Sequence, residues 1–528
     1  MAEMKALLAA TGFLAMSTMA AEYPRSLDLP EDAVVRSALQ RVSVRSGVSL
    51  PRSSWPLLAR EAREFLDQVA ASDSQALTAA DSVALADLIV GPRELYRWSG
   101  SGPTVLALNA RAGGEWTGSD SGVGHSERMG WLGGRIYGVV GGDLWFYSDA
   151  RIFTRWSNKY VYWDRYTLAD GEPSAVPFDD PSVGGRYKSN TGARYTAWAQ
   201  WTRDWVTLKY GRDRVQFGPG VWTGLTTDYS TPPYQMLDVR VTAFPWLSVQ
   251  ATVLEARPGE VAGGISFPGD ARKWMHVHRF EIRPVDGLAL AFQNQVLYGD
   301  SGGVNPAYLL PLVPIFFSQD LSGNRDNAAM QFDASYVSKW GAKAWSALLI
   351  DDLNSVSDIG GASWLNRWAL LVGGQVISPW KAIDADAKVE FSEVRPWTFT
   401  DREEAFTFAH YGMPMGTELG PDSRTFHVRL AWRPFSGLEI GSEMAWLKKG
   451  LGSQATLGDI HGRDPQDGNF AKWFSNGSRS DLKFGGDVAW KWNHLVRTQA
   501  KMATVTRSQS NLQDRTWLEG GANWDVDW

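Results

Sequence analysis

The residues of this chain best suited to chemistry are arginines and aromatics set in long polar stretches. Arg212 and Arg214 stand in Gly211-Arg212-Asp213-Arg214-Val215-Gln216-Phe217-Gly218-Pro219-Gly220, where glycines permit tight bends and two guanidinium forks could hold carboxylates or sugar hydroxyls. The segment lacks the lysine and the spacing of a phosphate loop. Trp222, Tyr229, Tyr234, Phe316, Phe317, Tyr411 and Trp473 follow in further polar stretches. Their rings could stack on sugar faces while Arg212, Arg214, Lys449 and the loop acids hydrogen-bond the hydroxyls. The plainer alternative for each is a strand-end ion pair, a loop core or packing at a membrane rim.

Other groupings carry less. Asp170, Glu172, Asp179 and Asp180 gather in one stretch, and Asp459, Asp464, Asp467 and Asn469 in another, without the spacing of a calcium loop, so solvated loop charge is expected. His276 and His278 share a strand face with Phe280 and Ile282, which favours packing over metal binding. Adjacent Glu403 and Glu404 point opposite ways in a strand and have no identifiable partner, so a glycosidase pair does not form from them. Cysteine is absent, which removes thiolate metal sites, disulfides and cysteine catalysis. The expectation is a non-enzyme with no metal and no cofactor. A formal net charge of −6 argues against a general nucleic-acid surface.

The elements that must position these residues read as strands. Beyond Gly91 the chain is a series of alternating segments of roughly 8 to 12 residues, the length of a tilted strand crossing a bilayer. Phe426, Val428, Leu430 and Trp432 alternate with His427, Arg429 and Ala431. In the tail, Leu518, Gly520, Ala522, Trp524, Val526 and Trp528 oppose Glu519, Gly521, Asn523, Asp525 and Asp527. One wall suits lipid and the other suits water. After the N-terminus no apolar run approaches the roughly 18 residues of a helical span, so a membrane reading must be a barrel. The 27 Trp fit aromatic girdles at two interfaces.

Tight turns are readable near Gly141-Asp143, Thr202-Asp204, Phe244-Trp246, Pro284-Gly287, Lys339-Gly341, Ser378-Trp380, Pro434-Gly437 and Asn493-His494. Long polar loops lie between them, at about 154 to 190, 212 to 235, 299 to 328, 393 to 424 and 448 to 480. Eight turns join sixteen strands. A first strand near Thr104 to Gly113 and a last at Trp517 to Trp528 make about eighteen, an even number as bacterial barrels require. Both ends then lie on the short-turn side, which in such barrels is periplasmic.

The N-terminal part differs in texture. Lys5, the apolar run Ala6 to Met16, and small residues at Ser17, Thr18, Ala20 and Ala21 read as a signal peptide over 1–21. Residues 22–92 read as a small helical bundle. One helix carries Val34, Val35, Leu39 and Val42, a second opens after Ser53 or Ser54 with Trp55, Leu58, Ala62 and Phe65, and a third runs from about Thr78 to Ile89. The barrel, 93–528, follows, with the bundle beneath it on the periplasmic side.

With these motifs in place, the chain resembles the capsule assembly protein Wzi family of outer-membrane proteins. The likeness rests on Gly211-Arg212, the turn Phe217-Gly218-Pro219-Gly220, Pro232-Pro233, and the block Asn305-Pro306-Ala307-Tyr308-Leu309-Leu310-Pro311 followed by Phe316-Phe317 and Asp326-Asn327. Phe217 stands where Trp is common in that family. The resemblance implies an all-β transmembrane barrel of eighteen antiparallel strands with a periplasmic helical bundle. It also implies an outer-membrane lectin that holds capsular or other surface polysaccharide at the surface of a Gram-negative-type bacterium. No family site residue is tied to a motif here, so none is carried over. The expected partners are the polysaccharide, outer-membrane lipid, the barrel assembly machinery during biogenesis and, from the position of the bundle, periplasmic polysaccharide-export components. A diffusion channel for sugars or other small solutes is the alternative on the same barrel, with an outer-membrane enzyme or adhesin third.

Overall fold

A first strand, eight two-strand hairpins and a returning last strand form the wall. In a computed structural model of the chain, the described residues are 33–527 apart from 73–75, 86–94, 101–103, 121–124, 158–187, 230, 258–271, 300–302, 310–325, 354–360, 362, 379, 381–382, 402–405, 411–412, 418, 456, 458–469, 493–495 and 511. The expected signal peptide therefore lies outside them, as do Phe316, Phe317, Tyr411, Glu403, Glu404 and the whole of both acidic loop clusters.

A short strand β1 (Tyr96–Ser99) precedes β2 (Val105–Ser119), β3 (His125–Val140), β4 (Leu144–Ser157), β5 (Lys188–Arg203), β6 (Val206–Asp213), β7 (Tyr234–Phe244), β8 (Leu247–Ala256) and β9 (Lys273–Val285). Then come β10 (Leu288–Gly299), β11 (Asn327–Ser338), β12 (Ala342–Asp352), β13 (Arg367–Ile377) and β14 (Ala385–Val394). A two-residue ribbon, β15 (Ala409–His410) and β16 (Met413–Pro414), interrupts before β17 (Ser423–Phe435), β18 (Leu438–Gly450), β19 (Ser478–Lys491), β20 (Val496–Gln509) and β21 (Arg515–Asp527). Each wall strand from β2 pairs antiparallel with the next, β14 pairs directly with β17, and β21 returns to β2 with Asp527 opposite Arg111. The result is a closed barrel of eighteen strands. The sheet holds one more member, β1, which pairs with residues 105–108 of β2, just past the stretch 111–119 that β21 occupies.

The hairpins fall where the turns are read, although residue 379 of the turn at Ser378-Trp380 and residues 493–494 of the last turn lie outside the described residues. Alternation then sorts the side chains. Leu132, Ile152, Tyr210, Leu430 and Met502 face outward and exposed, as a lipid-facing wall requires. Trp205, Trp246, Trp340, Trp380 and Trp492, all in or beside tight turns, are exposed and form a girdle at the short-turn rim.

Among the described residues three helices precede the wall: α1 (Ala33–Ser46), α2 (Ala59–Ser72) and α3 (Ala79–Ala84). Ala38, Leu39 and Val42 of α1 bury against Trp55, Leu57, Phe65, Val69 and Leu85. Thr78 caps α3 in a reciprocal box with Asp81, satisfying donors that a helix start leaves open. Asp81 also binds Arg41 at 2.8 Å and Arg45 at 2.5 Å. Burial pushes its carboxyl up, but the two guanidiniums outweigh this and hold it below the ordinary 3.8.

Two expectations are corrected here. The second helix opens at Ala59 rather than at Ser53 or Ser54, because Trp55 instead pairs its backbone with Gln216, at 2.9 Å and 3.0 Å. The helical region also does not merely sit beneath the barrel. Its stretch 52–58 enters the lumen, where Ser53 meets Glu281, Ser54 meets Gln250, Arg52 meets Thr242 and the Pro56 carbonyl accepts from Arg240. Polar lumen residues need partners once water is displaced, and this stretch supplies them.

Candidate functional site

Strand β6 is only eight residues long, so the chain leaves the wall early and the segment 214–233 turns into the lumen. Val215, Phe217 and Leu225 bury with Met236, Leu254, Trp345 and Leu371 from the facing wall. The backbone of this inserted loop is gathered by one carboxylate. Glu390 on β14 accepts from the N–H groups of Val221 at 2.7 Å, Trp222 at 2.9 Å and Thr223 at 2.9 Å, and from the Trp345 indole at 2.9 Å. Such a cluster satisfies donors that would otherwise be buried without partners, each costing on the order of 1–3 kcal/mol. Gly218, at φ +98°, makes the bend with a backbone that other residues rarely adopt.

The helical region holds the same loop from the other side. Arg36 donates to Gln216 Oε1 at 2.7 Å and to the Gly220 carbonyl at 2.9 Å, and its guanidinium lies between Trp55 and Tyr229, 5.1 and 5.2 Å from their ring centres. A second insertion, 395–422, packs behind it, with the Asp228 N–H donating to the Met415 carbonyl at 3.0 Å. A Cβ on Gly416 would come within 2.3 Å of the Leu225 carbonyl oxygen, so the close approach of the two loops requires glycine there. His410 of this insertion stacks on Tyr234 at 4.4 Å and accepts from the Arg257 N–H at 2.9 Å. Burial pushes its imidazole down to about 3, which keeps it the neutral acceptor that this bond needs.

These insertions fill the side of the lumen bounded by β7 to β14. On the other side, bounded by β2 to β6 and β17 to β21, a recess of about 680 Å³ remains among the described residues. Ala33, Val34, Ser37 and Arg41 of α1 and Ala80, Val83 and Ala84 of α3 line it toward the short-turn rim. Ten arginines and one lysine line it against five carboxylates, the reverse of the chain's net sign. Asp149 is shared by Arg111 at 2.7 Å, Arg151 at 3.2 Å and Arg135 at 3.3 Å. Asp527 of the closing strand meets Arg135 at 3.0 Å. Aromatic faces fix the cations: Arg151 lies 4.7 Å and Arg111 5.6 Å from the Trp131 ring, and Arg194 4.9 Å from Phe153. Tyr147 stacks on Trp198 at 5.3 Å.

The sequence-derived candidates fall in three places rather than one. Arg212 and Arg214 line the recess, the first donating to the Tyr195 carbonyl at 3.2 Å and the second to the Thr231 carbonyl at 2.9 Å. Trp222, Tyr229 and Tyr234 belong to the packed side: Trp222 stacks on His427 at 5.4 Å, Tyr229 on Arg36, and Tyr234 is fully buried with its hydroxyl on Thr231. Trp473 stands at the long-loop rim, 4.5 Å from the Arg424 guanidinium. Near it Asp422, raised by burial, accepts from Gln454 at 2.9 Å and the Phe474 N–H at 3.1 Å. His276 is bonded to Tyr298 and the Tyr308 carbonyl, a packing role. Among the described residues no group of His, Cys, Asp or Glu is placed to hold a metal.

Sequence reasoning missed the recess arginines Arg111, Arg135, Arg151 and Arg194 and their aromatic supports. The signal was available in the alternation: Arg111 on β2, Arg135 on β3 and Arg151 on β4 stand on inward positions that registry brings level, with Arg135 opposite Asp149 and Arg111 opposite Gly133.

No protein-family model and no curated protein matches the chain. Among solved structures, it is similar to Wzi of Escherichia coli, an outer-membrane protein involved in group 1 capsule assembly and described as a carbohydrate-binding β-barrel. The two share 13% identity with a TM-score of 0.56 over 95% of this chain and 98% of that one. Pseudomonas aeruginosa OccK8 (OprE) matches at 10% identity and a TM-score of 0.47, covering 80% of this chain and 98% of its own, and P. aeruginosa OpdK with vanillate at 11% and 0.44, covering 80% and 99%. The fold that the family resemblance implied, an eighteen-strand outer-membrane-type barrel with an N-terminal helical region, is the fold of this chain.

Proposed function

We propose that this protein is a non-catalytic outer-membrane lectin that attaches or organises capsular or other surface polysaccharide. One observation carries the reading: the lumen is occupied by the chain's own loop 214–233 and by the stretch 52–58, joined through Trp55 and Gln216. A bore filled from both ends suits holding a ligand better than passing one. The fold likeness to a carbohydrate-binding barrel supports the same reading. In this arrangement the long loops face outward, the short-turn girdle lies at the periplasmic interface, and the helices face the periplasm, where polysaccharide-export components would meet them. Barrel assembly machinery and outer-membrane lipid are the partners of biogenesis and residence.

The recess that remains among the described residues favours the second reading, a diffusion channel for sugars or other small solutes. Planar-bilayer recording separates the two. Attachment predicts small or absent currents together with retention of polysaccharide on proteoliposomes carrying the full chain. Large, stable open-channel currents without retention would overturn it.

A further inference from the structure

Resting on that attachment reading, we infer that the recess is a subsite for an acidic sugar chain, one that carries uronate-type carboxylates, and that this subsite lies within the barrel rather than on its outer loops. Three observations converge. The β2 to β6 face of the recess is cationic, with Arg111, Arg135, Arg151, Arg194, Arg212 and Arg214 against Glu115, Asp149 and Asp213 among its described lining residues, while Arg41, Arg429 and Arg433 on the opposite face already meet Asp81, Asp487 and Asp386. Guanidinium forks match carboxylates in a two-pronged geometry that ammonium groups do not offer. The cations are also held in place before any ligand arrives: Arg111 and Arg151 flank Trp131, Arg194 lies on Phe153, and Asp149 ties three arginines together. Preorganisation reduces the side-chain entropy that ligand binding costs.

The aromatic faces add the second half of the recognition. A sugar ring has an apolar C–H face and a rim of hydroxyls, so a wall that interleaves aromatic planes with guanidiniums addresses both at once. At about 680 Å³ the recess lies within the range of small-ligand sites and can take a few sugar rings of a longer chain. Residues of α1 and α3 line it toward the short-turn rim, so an entering chain end meets the helical region. The acidic residue is therefore gripped near the foot of the bore while the polymer extends outward. A neutral polymer would leave the arginines with the acids they already meet, Asp149 and Asp527 on one face and Glu439, Asp487 and Asp386 on the other, and would gain only the stacking.

The test uses the full-length protein in lipid nanodiscs, titrated calorimetrically with oligogalacturonate and with malto-oligosaccharide of equal length. The expected result is binding of the uronate at least tenfold tighter than the neutral sugar, weakening as salt rises, with quenching of tryptophan fluorescence. The double variant Arg151→Gln, Arg194→Gln should lose at least tenfold in uronate affinity, whereas Lys448→Gln at the long-loop rim should leave it unchanged. Heat-dependent mobility on denaturing gels reports whether each variant is a folded barrel. Should the double variant not fold, the salt dependence and the uronate preference of the unaltered protein decide the matter. Equal affinity for both sugars, or full uronate affinity in the folded double variant, would overturn the acidic subsite and leave attachment standing. Absence of binding to either sugar would overturn the subsite, and absence of polysaccharide retention as well would overturn attachment with it.

Discussion

The two sides of the lumen are built from the same alternating strands yet end in opposite states. On the β7 to β14 side, a single carboxylate, Glu390, meets four donors, three of them backbone N–H groups of an inserted loop. On the β2 to β6 side, a single carboxylate, Asp149, meets three arginines and, among the described residues, no inserted backbone. The difference teaches that an inward polar face does not by itself decide between plug and pocket. What decides is where a strand ends. β6 stops after eight residues and sends its loop toward β14, whereas β2 to β5 run for fourteen to sixteen residues. Charge follows the same division, because a loop brings N–H donors that suit acids, whereas the described β2 to β4 wall gathers three arginines around one acid.

The contrast can be broken most strongly at Glu390. Replacing it by Ala removes the acceptor for four buried donors and should destabilise the packed side by on the order of 4 kcal/mol. Urea unfolding of the variant would show this as a lowered midpoint, and bilayer recording as increased current. Next in size is Arg36→Ala, which deletes two hydrogen bonds and the cation between Trp55 and Tyr229, for a loss of about 2 kcal/mol. Limited proteolysis between residues 33 and 85 should then proceed faster than in the parent chain.

Acid should loosen the same helical region by a smaller amount. The folded Asp81 carboxyl titrates below its ordinary 3.8, so its stabilising contribution is complete above about pH 4 and fades as pH falls through the lower folded value. Hydrogen-exchange protection factors across α1 should fall over that acidic interval and stay flat from pH 5 to 7; unchanged protection in acid would contradict the role given to Arg41 and Arg45. The smallest effect belongs to the open side: Arg151→Gln alone should shift stability by less than about 1 kcal/mol, since its side chain is a third exposed and Asp149 keeps two other arginines. A large destabilisation there would mean that the recess is structural packing after all.

Turn chemistry and alternation made the wall legible. Gly437 after Pro434, and Gly287 after Pro284, mark hairpins that the structure places at those positions, and the eighteen-strand count followed from the turns. The plug was less legible because its partners are far apart in sequence. Nothing near Trp55 announces that its backbone will pair with Gln216, and nothing near Val221 announces Glu390, some 169 residues away. The aromatic candidates Trp222, Tyr229 and Tyr234 looked like loop platforms for the same reason: a polar loop that folds inward reads the same as one that stays in solvent. The short strand β1 escaped as well, since four residues cannot establish an alternation.

That short strand bears on how the barrel finishes folding. β2 offers one edge to two suitors, its residues 105–108 to β1 and its residues 111–119 to β21. A closing strand that slid by a few residues toward the short-turn rim would run into a neighbour already in place. A one-residue slip in the same direction would also swap its aqueous and lipid faces. β1 thus behaves as an end stop on a ruler: it measures off how far the last strand may travel before the cylinder locks, and with it the stagger that sets the bore.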